Sequence, residues 1–125
     1  MKNIKPKVLE ALLNDAVLLS LLGGNRIFQL TAPKADEFPR IVFWEFDNVP
    51  EDYADDVEQN ASVYMQIDIY CQNESTSALA KQVDKILKSI DFYRIASSDM
   101  YDDINDQRVY IKHMRYTTFI ESEDE

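Results

Sequence analysis

Glycine is almost missing from this chain. Gly23 and Gly24 are the only two, adjacent to each other, so no glycine-rich loop is present to cradle a phosphate. One cysteine, Cys71, excludes an intramolecular disulfide. With only one histidine, His113, it also excludes the usual zinc ligand sets. No run of residues approaches the length of a membrane helix, and the first residues lack the apolar core of a signal peptide. These absences lead to the expectation of a domain made and folded in a cytoplasm, needing no cofactor and no metal. Basic residues are in deficit too: thirteen Lys and Arg against twenty-three Asp and Glu give a formal charge of −10. A chain that acidic should neither neutralise nucleic-acid phosphates nor settle on anionic membrane.

What is present is an ordinary globular composition, with 46% hydrophobic and 29% charged residues over 125 positions, enough for one core and too apolar for general disorder. The clearest pattern runs from Ala61 to Ile90. Val63, Met65, Ile67, Ile69 and Cys71 alternate with Tyr64, Gln66, Asp68, Tyr70 and Gln72, the period of a strand with one face on a core. Asn73 to Thr76 interrupts with side chains suited to a helix start. Leu79, Val83, Ile86, Leu87 and Ile90 then recur at three- and four-residue steps, an amphipathic helix whose apolar stripe should fold back on that strand.

Upstream, Ile4, Val8, Leu9, Leu12 and Leu13 make a helical stripe, and Ala16 to Leu22 a second piece that stops at Gly23-Gly24. The two pieces form one kinked helix or a helix and a short successor. Arg26 to Leu30 reads as a short strand, Thr31 to Arg40 with its two prolines as a loop, and Ile41 to Asp47 as an aromatic-rich strand. Val49 to Asn60, carrying Pro50, Glu51, Asp52, Asp55, Asp56 and Glu58, reads as a solvated acidic loop without the spacing of a calcium loop. Phe92 to Ile95 reads as a strand start, Ser97-Ser98-Asp99 as a turn or bulge, Asp102 to Asp106 as an acidic turn, and Val109 to Ile120 as a long strand closing a hairpin. The expected fold is α+β: a mixed, mainly antiparallel sheet of about five strands with an N-terminal helix, kinked or split, and a second helix packed on the sheet. It should form a single domain over residues 1–120, with residues 121–125 an acidic, disordered tail.

No catalytic constellation is assembled. His113 lies in a strand between Lys112 and Arg115 with no nucleophile at a recognised spacing, and Asp68 is explained by a cross-strand partner such as Lys112 or Arg115. The expectation is therefore a non-enzyme. Aromatic side chains on strands that two helices cannot wholly cover point instead to protein contact. The candidate subunit interface is Ile41, Phe43, Trp44, Phe46, Tyr64 and Tyr70.

The order of segments adds a resemblance. Leu9 to Ala16, then Leu21-Leu22-Gly23-Gly24-Asn25-Arg26-Ile27-Phe28, then Ala32-Pro33 and Phe38-Pro39-Arg40-Ile41-Val42-Phe43 follow one another as in a family of small phage and prophage proteins. Gln66-Ile67-Asp68-Ile69-Tyr70, Ser75-Thr76-Ser77-Ala78 and the closing Tyr110 to Tyr116 continue the match. The chain resembles the tail completion (tail-to-head joining) proteins of long-tailed phages, which are similar to tail terminator proteins. That resemblance implies a virion structural protein acting as a hexameric ring that caps the tail tube or seats it on the head connector. Its partners would be further copies of itself, tail tube protein and connector or adaptor proteins. It would be located in the host bacterial cytoplasm during assembly and at the head–tail junction of the virion afterwards. A second reading, a small acidic inhibitor that mimics DNA, rests on the −10 charge alone. It is disfavoured because the acids gather in two loops and a tail rather than along one face.

Overall fold

Val63, Met65, Ile67, Ile69 and Cys71 are all fully buried, and they set one face of a long strand into the core that the described helices share. In the structure, a computed structural model, residues 4–34, 36–54 and 57–121 are described, with backbone only at 52–54 and 57–59. The elements run α1 (Lys5–Leu13), α2 (Ala16–Leu22), β1 (Ile27–Gln29), β2 (Arg40–Ala54), β3 (Val57–Gln72), α3 (Ser77–Ser89), β4 (Tyr93–Ile104) and β5 (Gln107–Glu121). The five strands form one sheet in the order β1-β2-β3-β5-β4. Only β1 and β2 are parallel, over Ile27↔Ile41 to Gln29↔Phe43; the other pairings are antiparallel. The fold is α+β, as the alternation of β3 and the stripe of α3 require.

The N-terminal apolar stretch is split, and the reason is local. Asp15 leaves the helical region and its carboxylate accepts from the Leu18 N–H at 2.8 Å, capping a new helix. The same carboxylate accepts from Gln82 Nε2 at 3.0 Å, tying α2 to α3. At the far end Gly23 takes φ +70°, which stops α2 in the left-handed conformation that glycine adopts without a Cβ penalty. Arg26 then joins that helix end to the entry of β2, donating from Nε to Pro39 O at 2.8 Å and from its terminal nitrogen to Leu22 O.

Leu79, Ala80, Val83, Ile86 and Leu87 of α3 bury against the same core as Met114, Tyr116 and Ile120 of β5. The hydroxyl of the fully buried Tyr116 donates to Asp84 Oδ1 at 2.8 Å, with Lys88 Nζ 2.8 Å from the other oxygen and Arg94 3.9 Å away. Burial opposes ionisation of Asp84, yet the hydrogen bonds from Lys88 and Tyr116, helped by Arg94, hold its carboxyl below the usual range. Tyr116→Phe should therefore lower stability by about 1.5–3 kcal/mol at neutral pH, the range for a hydrogen bond to a charged group. A carboxyl with a depressed folded pKa contributes above its unfolded pKa of about 3.9 and loses that contribution as pH falls through the folded value. Urea melts at pH 7 and in strong acid should show the deficit at the first and its shrinkage at the second.

Three stretches differ from expectation. Residues 49–60 are not a loop: β2 and β3 continue as a hairpin to the pair Ala54↔Val57. Pro50 misled because it has no N–H, but β1 covers β2 only as far as Phe43, leaving an edge where proline is tolerated. The turn itself and Asp55 and Asp56 lie outside the described residues. Ser97-Ser98-Asp99 is not a turn either; β4 runs through it in register with Met114, His113 and Lys112, and its irregularity lies earlier, between Arg94 and Ala96. The acidic turn shrinks to Asn105-Asp106, both at positive φ, a two-residue hairpin between Ile104 and Gln107. Of the expected acidic tail, Glu121 is the last residue of β5 and residues 122–125 lie outside the described ones.

Candidate subunit interface on the open face of the sheet

Among the described residues α1, α2 and α3 share the core on one face of the sheet, so the alternate residues of the strands point to a face that none of them covers. In register across it run Arg40↔Tyr70↔Ile111, Val42↔Asp68↔His113 and Trp44↔Gln66↔Arg115, followed by Asp47↔Tyr64↔Thr117. An irregularity in β2 between Glu45 and Asp47 leaves Phe46 on this face as well, its ring 5.8 Å from that of Tyr64.

Polar groups on this open face are nonetheless buried. Asp68 is 2% exposed and Gln66 8%. Asp68 Oδ1 accepts from Gln66 Nε2 at 2.9 Å and pairs with His113 Nδ1 at 2.6 Å. Tyr70 OH reaches Asp68 Oδ2 at 3.5 Å, and Arg115 Nε donates to Gln66 Oε1 at 2.9 Å. The partner of Asp68 is thus His113, directly opposite, rather than Lys112 or Arg115. Lys112 points to the other face, 3.2 Å from Asp99, and Arg115 is held by Gln66.

Two guanidinium groups are stacked on aromatic rings at the margins of this cluster. Arg40 lies 4.2 Å from the Tyr70 ring centroid and 4.6 Å from that of Phe38; Arg115 lies 4.7 Å from that of Phe46. Burial lowers the Arg40 pKa from its ordinary value and raises that of Tyr70, which Asp68 raises further. Rigid aromatics, stacked arginines and a satisfied polar centre suit a protein contact surface.

The residues expected at an interface divide by face. Trp44, Phe46, Tyr64 and Tyr70 come together here, three of them half-buried and Phe46 exposed. Ile41 and Phe43 point the other way and are fully buried in the core, so they leave the candidate set and support β2 from beneath. Arg40 and Arg115 join the set. Their place was implicit in the alternation of β2 and β5, which puts each on the same face as the aromatics.

The same face aligns Ser98, His113 and Asp68 on adjacent strands, the residue types of a hydrolytic triad. The alignment lacks the proton relay, since His113 Nε2 sits 3.0 Å from Met100 Sδ and makes no hydrogen bond to Ser98. Cys71 offers no alternative nucleophile: it is fully buried, and burial pushes its thiol pKa up to about 11. Among the described residues no group of His, Cys, Asp and Glu could hold a metal ion, and no helix is long and apolar enough to cross a membrane.

Residues 6–110 match the family model of tail completion protein gp17. The chain belongs to this family. Among solved structures, a chain from the virion of a native gene transfer agent (GTA) particle is similar in fold at 15% identity, with a TM-score of 0.56. That match covers 90% of this chain and 92% of the other. A search of curated proteins finds no match. Membership of the tail completion family makes the chain a structural component of a phage tail, and it decides against the DNA-mimic reading, which rested on charge alone.

Proposed function

We propose that this tail completion protein closes into a ring of six copies at the head–tail interface, seating the tail tube on the head connector. It is made in the host cytoplasm and enters the virion as the joint. The observation that carries this reading is the family match over residues 6–110. The open face supports it, because a joint protein needs a surface for neighbours, and the arginine and aromatic side chains of that face are those that dominate interface energetics.

Net charge of −10 supplies the other requirement, a free subunit that does not assemble too early. Like-charged copies repel over about a Debye length, ~8 Å at physiological salt, and higher salt screens that repulsion. The purified protein should be mostly monomer when dilute in low salt, and should form closed rings as salt or tail tube protein is added. Light scattering with negative-stain imaging across that range tests it. A strict two-fold dimer under every condition, with no binding to tail tube or connector proteins, overturns the reading.

A further inference from the structure

Natural sheets protect their outer strands by making them short, charging them with lysine or covering them. Strand β4 is neither short nor covered, and its charged residues are Arg94 and three aspartates rather than lysine. It is an outer strand of twelve residues, all exposed, and it contains neither lysine nor proline. Tyr93, Ile95, Met100, Tyr101 and Ile104 are large apolar side chains standing in solvent along it. From Ala96 to Ile104 it pairs with β5 without interruption, so its opposite edge offers a regular row of backbone donors and acceptors about 30 Å long at ~3.3 Å per residue. Among the described residues no backbone hydrogen bond reaches that row.

The other side of the sheet is made differently. There β1 covers β2 for three residues only, and its last bond runs from the Leu30 N–H to the Phe43 carbonyl. Among the described residues nothing pairs with the outer edge of β2 from Trp44 on; the stretch has an irregularity at Phe46, and Pro50, with no N–H to give, ends it. That leaves Trp44 to Val49, about 20 Å at the same rise, with Phe46 and Val49 exposed.

We infer that β4 of one copy pairs edge to edge with the Trp44–Val49 segment of β2 in the next, continuing the sheet from subunit to subunit. The inference rests on the ring reading and gives it a contact. The two edges lie on opposite sides of one sheet and are unlike, so pairing them is a head-to-tail contact that repeats and can close into a ring. Pairing β4 with β4 would instead make a two-fold dimer and leave the β2 edge unused. Charge along β4 is largely settled within the subunit. Two of the three aspartates of β4 already carry cations from β5: Asp99 is 3.2 Å from Lys112 and Asp103 accepts from Arg108 Nε and Nη2 at 2.8 and 3.1 Å. With those charges matched, they repel Glu45 and Asp47 of β2 less, while Arg94 at the start of β4 is already paired with Asp84 of α3. Main-chain hydrogen bonds along the shared edge would hold the contact, and the aromatic side chains of Trp44 and Phe46 would fix where it sits.

Cysteine cross-linking tests the contact. Ser98 of β4 and Asp47 of β2 are both exposed, and both face the open side of the sheet. Native Cys71 is fully buried and should not react with maleimide in the folded protein. Under ring-forming conditions the double variant Ser98→Cys/Asp47→Cys, treated with a short bis-maleimide, should give a ladder of covalent oligomers ending at the ring size. A mixture of the two single variants should give covalent dimers only, and each single variant alone should stay uncross-linked. Dimers from Ser98→Cys alone overturn the inference in favour of two-fold pairing. Closed rings by imaging with no ladder overturn the inference and leave the ring reading standing. A well-folded protein that never forms a ring, alone or with tail tube protein, overturns both.

Discussion

Ile67→Ala should lower the stability of the domain by about 2–5 kcal/mol, the range for emptying a buried aliphatic site. Ile67 is fully buried at the middle of β3, with Phe43 of β2 and Met114 of β5 beside it in register, both also fully buried. Truncation there removes apolar area and leaves a cavity walled by strands that are pinned on both sides, so little collapse can offset it. Leu79→Ala, on the helix that packs over this face, should fall in the same range but lower, because a helix can settle where a central strand cannot. Urea melts of the two variants beside the wild type measure both. A near-neutral Ile67→Ala would remove β3 from the centre of the core, and with it the division of the sheet into a covered and an open face.

That division was legible in the sequence because β3 alternates without a break. Each of its core positions from Val63 to Cys71 is fully buried, and the stripe of α3 matches the residues found against them. The segments misread are those where burial is absent. β4 has no buried residue, so no period of two marks it, and Ser97-Ser98-Asp99 looked like a turn because serine and aspartate prefer turns when nothing else decides. In the distal half of β2 it is the acids and Pro50 that read as loop. Both are outer edges of the sheet, where no core neighbour imposes an alternation.

The candidate site was legible by residue type and illegible by face. Ile41 to Trp44 is apolar on both sides, so its aromatics could not be sorted until the register with Ile69, Asp68, Ile67 and Gln66 was known. The pair Asp68–His113 was hidden for a related reason. Position 113 faces position 68 only once β5 is laid antiparallel to β3, and a one-residue slip would have put Lys112 there instead.

Trp44→Ala should leave a folded monomer and abolish ring formation at concentrations where the wild type assembles. Trp44 is half-buried, lies on the open face, and begins the stretch of β2 left free by β1. Aromatic anchors of this kind are worth about 2 kcal/mol or more when truncated at an interface. A closed ring repeats the contact at every joint, so the loss multiplies. For the proposed ring, with six joints shared among six subunits, about 2 kcal/mol per contact raises the assembly midpoint by roughly fiftyfold, taking 1.4 kcal/mol as tenfold. Lys85→Ala, on the exposed side of α3, should leave the midpoint unchanged and serves as the control. Sedimentation across a concentration series, with circular dichroism to verify the fold, reads both variants. Unaltered assembly by a well-folded Trp44→Ala would exclude Trp44 from the subunit contact. Equal loss in Lys85→Ala would mean that the ring is closed through the helical face instead.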